Sequence, residues 1–175
     1  MNRARVRNVV LALVAILVAM QVFQPRRTNP PSIPSRSLPA HMVLPENVYS
    51  SLMRGCGDCH SNQTRWPWYS RVAPYSWVIT DDVNQGRRHL NFEDWEAQES
   101  PKRANEELGK ICKEIQQKGM PPFSYRLLHR ESKLSPEEVA SICAWSQTFE
   151  IGQTSGLLLF DERASRDFGR SVPRM

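Results

Sequence analysis

Acidic residues are missing from the first thirty positions of this 175-residue chain, and that absence settles how its charge should be read. The chain carries 23 basic and 18 acidic residues, a formal net charge of +5 at pH 7. Arg3, Arg5, Arg7, Arg26 and Arg27 supply the excess, and the remainder balances at 18 basic against 18 acidic residues. A domain that binds nucleic acid keeps its positive excess on the folded part, so nucleic acid is not an expected partner. The N-terminal region also lacks a small-residue A-x-A cleavage pattern and any cysteine placed for lipid attachment. Nor is there room for two large cores: this length, with 40% hydrophobic residues and five tryptophans, suits one modest domain with extensions.

Cysteine is scarce as well. Two of the four stand in Cys56-Gly57-Asp58-Cys59-His60, a C-x-x-C-H sequence that reads as the covalent attachment site of a c-type haem. On one turn of helix, cysteines three apart share a face and each can add to one porphyrin vinyl group, while His60 turns its imidazole onto the iron. The expectation is one covalent haem c per chain, with His60 as its proximal ligand. A thioredoxin-like dithiol would not need His60 and should follow a strand, whereas the residues before the motif look helical. A structural zinc site needs a fourth ligand, and no second Cys/His pair at ligand spacing follows. Thioether attachment happens outside the bacterial cytoplasm, so an oxidising compartment is implied.

Upstream, the arginines precede an apolar run from Val9 to Phe23 broken only by Gln21. Residues 1–24 are read as an uncleaved membrane anchor in preference to a removed signal, with the basic end on the cytoplasmic side. Residues 25–44 carry a dense series of prolines and are expected to form an extended polyproline II tether, on the order of 60 Å long at about 3.1 Å per residue. The haem domain is assigned to 45–150, and 151–175 to a tail without sustained periodicity.

Within the domain, Pro45 to Gly55 predicts a helix leading into the motif, with Val48 and Leu52 on one face. The segment 61–70, with Arg65, Trp66, Trp68 and Tyr69, reads as a loop wrapping a flat cofactor, the alternative being an aromatic cluster that seals an ordinary core; Arg65 and Arg71 are candidates for the propionates. Pro74 to Arg88 predicts a second helix with Trp77, Val78 and Val83 inward. Ser100-Pro101 opens a third, running to Lys118 and ended by Gly119, with Leu108, Ile111, Cys112 and Ile115 as its apolar stripe. Ser135-Pro136-Glu137-Glu138 opens a fourth through a capping box, with Val139, Ile142, Cys143 and Trp145 following. Cys112 and Cys143 fall on apolar stripes; a disulfide needs a Cα separation near about 5.5–6 Å, which spacing alone does not give, so a bridge and two buried thiols stay open.

Met120 leaves its helix in Gly119-Met120-Pro121-Pro122, a stiff segment suited to hold a thioether on the far side of the iron, which makes Met120 the favoured second metal ligand. His89 and His129 are the alternatives, and His41 lies in the tether.

Taken together, these residues resemble the small bacterial c-type haem-binding domain family, within the cytochrome c class. The resemblance runs from Arg27-Thr28-Asn29-Pro30-Pro31 through Cys56–Asn62 and Thr64-Arg65-Trp66-Pro67-Trp68-Tyr69-Ser70. It continues in Val72-Ala73-Pro74, Asp82-Val83, Gly86-Arg87, Leu90-Asn91-Phe92, Trp95 and Met120-Pro121-Pro122, about 120 residues in all. It implies thioethers at Cys56 and Cys59, His60 on the iron and Met120 opposite; it gives no guidance on Cys112 and Cys143. The expected fold is all-α and cytochrome c-like. The expected function is one-electron transfer with an unnamed redox partner, by a non-enzymatic cytochrome whose haem domain sits in the periplasm at the inner membrane. A haem-based sensor is the alternative, and a peroxidase is disfavoured by the lack of a second C-x-x-C-H and of a distal acid/base residue.

Overall fold

Prolines and helix caps cut this sequence into short helices, and the computed structural model, which describes residues 2–95 and 101–148, follows those cuts. The helices are α1 (Arg3–Met20), α2 (Leu38–His41), α3 (Glu46–His60), α4 (Tyr75–His89), α5 (Pro101–Gln116) and α6 (Phe123–Leu128), followed by α7 (136–148). Among the described residues there is no strand, so the all-α class holds. The expected tail at 151–175 and the Ser100 cap lie outside the described residues. Among the described residues two compact units emerge: residues 2–43 with 56–95, and residues 44–55 with 101–148. α3 runs through the junction, its first ten residues belonging to the second unit and its haem motif to the first.

In the first unit α1 buries no residue. Among the described residues no helix is long and apolar enough to cross a membrane, so the structure lends no support to the spanning anchor expected at residues 1–24. The physical reason is length: three arginines occupy the first turns, and the apolar part from Val9 to Met20 is only about 18 Å long against about 30 Å of hydrocarbon.

The proline-rich segment is not a free tether either. Leu38 is fully buried, and its N–H donates to the Phe92 carbonyl at 2.7 Å. Arg27 donates to the Ser70 carbonyl at 3.2 Å, Asn29 to that of Thr64 at 2.9 Å, and Arg36 pairs with Asp94. An extended segment without internal hydrogen bonds keeps its carbonyls available. Those of Thr28 and Pro31 are taken by Arg87 and Asn62, so the strap is stitched onto the unit.

α4 turns a different face inward from the one its apolar residues suggest. Ser76, Thr80 and Val83 are buried, whereas Trp77 and Val78 are exposed. Small side chains let the helix backbone approach its neighbours closely, and the segment Trp68–Arg71 packs against this helix.

The second unit follows its sequence pattern closely. Val48 and Leu52 of α3, Leu108, Ile111, Cys112 and Ile115 of α5, and Ile142, Cys143 and Trp145 of α7 form its core. Cys112 and Cys143 are joined by a disulfide with a Cα separation of 4.9 Å, and closing a loop of 31 residues contributes roughly 3 to 4 kcal/mol in the chain-entropy account. The capping box forms as expected: Glu138 N–H donates to Ser135 Oγ at 3.2 Å and Ser135 N–H to Glu138 Oε2 at 2.8 Å. The other carboxylate oxygen of Glu138 accepts from Ser51 at 3.0 Å and from the Arg54 guanidinium, tying α3 to α7. The Ser135 N–H, ahead of Arg54 and Ser51, holds the Glu138 carboxyl below its ordinary range.

The end of α5 departs from expectation. Lys118, not Gly119, takes the left-handed conformation, with φ 59°, while the N–H groups of Gly119 and Met120 both donate to the Glu114 carbonyl, at 3.0 and 3.3 Å. A side chain in that region costs about 1 kcal/mol relative to glycine. Lys118→Gly is therefore expected to raise stability by about 1 kcal/mol, read as an increase in the thermal unfolding midpoint; an unchanged or lowered midpoint would contradict this.

Candidate haem site

The last turn of α3 presents Cys56 and Cys59, both partly buried and neither in a disulfide. Between them Asp58 is buried and directed back at the chain that follows. Its carboxylate accepts from the Arg65 backbone N–H at 3.0 Å and from the Arg65 guanidinium at 3.2 and 3.1 Å, and its carbonyl accepts from Thr64 Oγ1 at 2.7 Å. The polar run after the motif is thus folded onto it by one carboxylate.

His60 is oriented by the backbone. Its Nδ1 lies 3.0 Å from the Leu90 carbonyl, which makes Nδ1–H the donor and leaves the Nε2 lone pair for a metal. Burial pushes the imidazole below its ordinary titration range, outweighing backbone hydrogen bonds at Leu90 and Gly86 that act the other way, so the ring is neutral at pH 7. The His60 carbonyl accepts from Phe92 N–H at 2.8 Å, and the Phe92 ring lies 6.2 Å from the imidazole, tilted by 41°. A Cβ on Gly86 would come within 2.5 Å of the Cys59 carbonyl oxygen, so α4 reaches the end of α3 only because this residue is glycine.

Arg87 ties the surroundings together. Its guanidinium donates to the Ser61 carbonyl (2.8 Å), the Thr28 carbonyl (2.8 Å), Asn29 Oδ1 (2.9 Å) and Thr64 Oγ1 (2.7 Å). Asn29 Oδ1 also accepts from the Trp66 indole N–H at 3.1 Å. One arginine and one asparagine therefore join the strap, the loop after the motif and α4.

The expected site residues divide accordingly. Cys56, Cys59, His60, Arg65, Trp66, Trp68, Tyr69 and Arg71 belong to the first unit. Arg65 is turned onto Asp58 instead of standing ready for a propionate, and Trp66 holds the strap. Tyr69 packs edge-on against Trp68 with ring centroids 5.7 Å apart, while Trp68 itself is 77% exposed and Arg71 is exposed. Met120 belongs to the second unit and is 39% exposed. So does His129, stacked on Tyr125 at 4.3 Å and paired with Glu131. His89 and His41 are exposed in the first unit.

The donor set fits a haem better than the other two chemistries open to a C-x-x-C-H sequence. Burial, with Asp58 and Asp82 adding to it and Arg87 opposing, pushes the Cys59 thiol up to about 11. A redox dithiol or a zinc ligand needs a thiol that ionises readily. Two thiols three apart on one helical turn, followed by a neutral imidazole with Nε2 available, suit thioether attachment beside an axial ligand. Among the described residues no group of three or more His, Cys, Asp or Glu side chains could hold a metal ion by itself.

Comparison with known proteins agrees with this geometry. Cytochrome c peroxidase Ccp of Escherichia coli (strain K12) is 32% identical to this chain over 95 residues, which is 53% of this chain and 20% of that protein. The chain thus covers a fifth of that relative's length. No solved structure matches it. Residues 15–148, from within α1 through α7, match the haem-binding domain family, and the chain belongs to that family.

Proposed function

We propose that this chain is a monohaem c-type cytochrome that holds its haem covalently through Cys56 and Cys59 and passes single electrons outside the cytoplasm, at the bacterial inner membrane. The observation that carries the reading is the His60 Nδ1–H bond to the Leu90 carbonyl at the end of the C-x-x-C-H turn. Haem supplies the one-electron couple when bound. The chain's residues supply the rest. Leu90 orients the His60 ring, burial keeps it neutral, and Asp58 with Arg65 forms an internally compensated pair beside it. Met120, placed before Pro121-Pro122, is proposed as the second axial ligand; a soft, neutral thioether favours the reduced iron relative to a second imidazole. α1 is proposed to attach the chain to the membrane by inserting its apolar part, its arginines reaching to the headgroups.

The test is the absorption spectrum of the reduced protein with and without carbon monoxide. Met120→Ala is expected to make the ferrous haem high-spin and open to carbon monoxide, whereas His89→Ala and His129→Ala leave the low-spin spectrum unchanged. A low-spin Met120 variant alongside a high-spin histidine variant would transfer the ligand role to that histidine, and the high-potential carrier would fall with Met120.

A second reading is peroxide chemistry, favoured by the likeness to Cytochrome c peroxidase Ccp. Peroxide-dependent oxidation of a reduced donor, absent from the electron carrier, separates the two.

A further inference from the structure

Around the end of α1 the first unit exposes what a soluble surface ordinarily covers. Phe23 is 76% exposed, Trp68 77%, Val72 45%, Tyr75 61%, Trp77 39% and Val78 57%. Over the same stretch of α4 the fully buried positions are hydroxyl residues: Ser76 and Thr80 lie inside, and neither side-chain oxygen has a hydrogen-bond partner. Aromatic and branched side chains outside with hydroxyls inside is the reverse of what water selects.

This surface is fastened to α1. Gln21, one residue past the helix, bonds both backbone groups of Ala73: its Oε1 accepts from Ala73 N–H at 3.0 Å and its Nε2 donates to the Ala73 carbonyl at 3.3 Å. The Trp77 indole N–H donates to the Phe23 carbonyl at 2.7 Å. A helix that is apolar all round from Val9 to Met20 and buries nothing is therefore tied, just past its end, to a surface that carries tryptophan, tyrosine and phenylalanine. Arg26 and Arg71, both exposed, stand at this end.

We infer that this aromatic surface is a membrane-docking collar: Phe23, Trp68, Tyr75 and Trp77 lie in the headgroup layer of the bilayer into which α1 inserts. The inference rests on the membrane attachment proposed above and adds where the folded unit sits. Indole and phenol rings favour the interface because one edge is apolar and the other forms hydrogen bonds. Exposed arginines suit anionic headgroups. The collar also answers the short apolar length of α1, because aromatic contact continues past Met20 where the helix stops. The first unit is then held flat on the lipid surface.

The test is hydroxyl-radical footprinting of the full haem-loaded chain in phosphatidylcholine–phosphatidylglycerol vesicles, read by mass spectrometry and normalised to the unfolded chain. Flotation establishes attachment. If the chain floats, Trp68, Tyr75 and Trp77 are expected to react as slowly as Trp95, which is 3% exposed, while Phe123, 73% exposed in the second unit, stays reactive. Flotation with Trp68, Tyr75 and Trp77 as reactive as Phe123 overturns the collar and leaves attachment standing. Failure to float overturns both, and protection without vesicles would assign the surface to a second copy or a partner protein. Tyr75→Ser with Val78→Ser, at exposed α4 positions outside the loop after the haem motif, is expected to restore reactivity at Trp77 without loss of flotation; continued protection of Trp77 would count against the collar.

Discussion

A chain carrying both Cys56→Ala and Cys59→Ala is expected to retain no haem once denatured, and the natural chain is expected to retain one haem per polypeptide. Thioether bonds survive unfolding; an iron–imidazole bond depends on the fold that positions His60. The double variant keeps the Leu90 carbonyl and the neutral ring, so it can still bind haem reversibly while folded. Each single variant keeps one thiol on the last turn of α3 and is expected to keep covalent haem. The measurement is the mass of the denatured polypeptide with its absorption spectrum. Haem mass on the denatured double variant would rule out attachment through this motif.

Arg87→Ala is expected to have the largest effect on the first unit. Its guanidinium serves four acceptors that come from the strap and the post-motif loop, and removing it leaves the Ser61 and Thr28 carbonyls without this donor. Hydrogen bonds from a charged donor are worth about 1.5–3 kcal/mol each where water is excluded, but Arg87 is only partly buried. A loss of roughly 3 kcal/mol follows, or about 6–12 °C in the unfolding midpoint for a chain of this size. Arg87→Lys is expected not to rescue it, since an ammonium cannot span the same acceptors. Proteolysis gives a local readout: cleavage within 25–38 should accelerate in both variants. A midpoint within a degree of the natural chain, with no new cleavage, would contradict the role.

How legible all this was in the sequence depended on whether a signal was local. The second unit was readable because its helices announce themselves: Ser135 and Glu138 form the expected box, and the stripe Leu108, Ile111, Cys112 and Ile115 is the buried one. The C-x-x-C-H turn was readable for the same reason. Long-range features were not. Proline density predicts extension, which is local, but not the surface an extended segment lies on, which depends on Arg87 and Asn62 more than thirty residues away. Apolar residues on α4 suggested an inward Trp77 and Val78; small hydroxyl residues packed inward instead, and no periodicity rule ranks Ser76 above Trp77. The partner of His60 is a backbone carbonyl, to which sequence is blind. Lys118 in the left-handed position could not be foreseen beside an available glycine.

Burial of Cys59 bears finally on how the chain is made. Cys112 and Cys143 are oxidised to each other, whereas the proposed thioethers would require Cys56 and Cys59 to reach haem attachment as thiols. Any oxidant working on the nascent chain has to tell the pairs apart. Thiol–disulfide exchange runs through the thiolate. A rise from 9.0 to about 11 cuts the ionised fraction of Cys59 roughly a hundred-fold at neutral pH. Once the first unit has closed around its motif, Cys59 is therefore a poor entry point for mixed disulfides with the other pair.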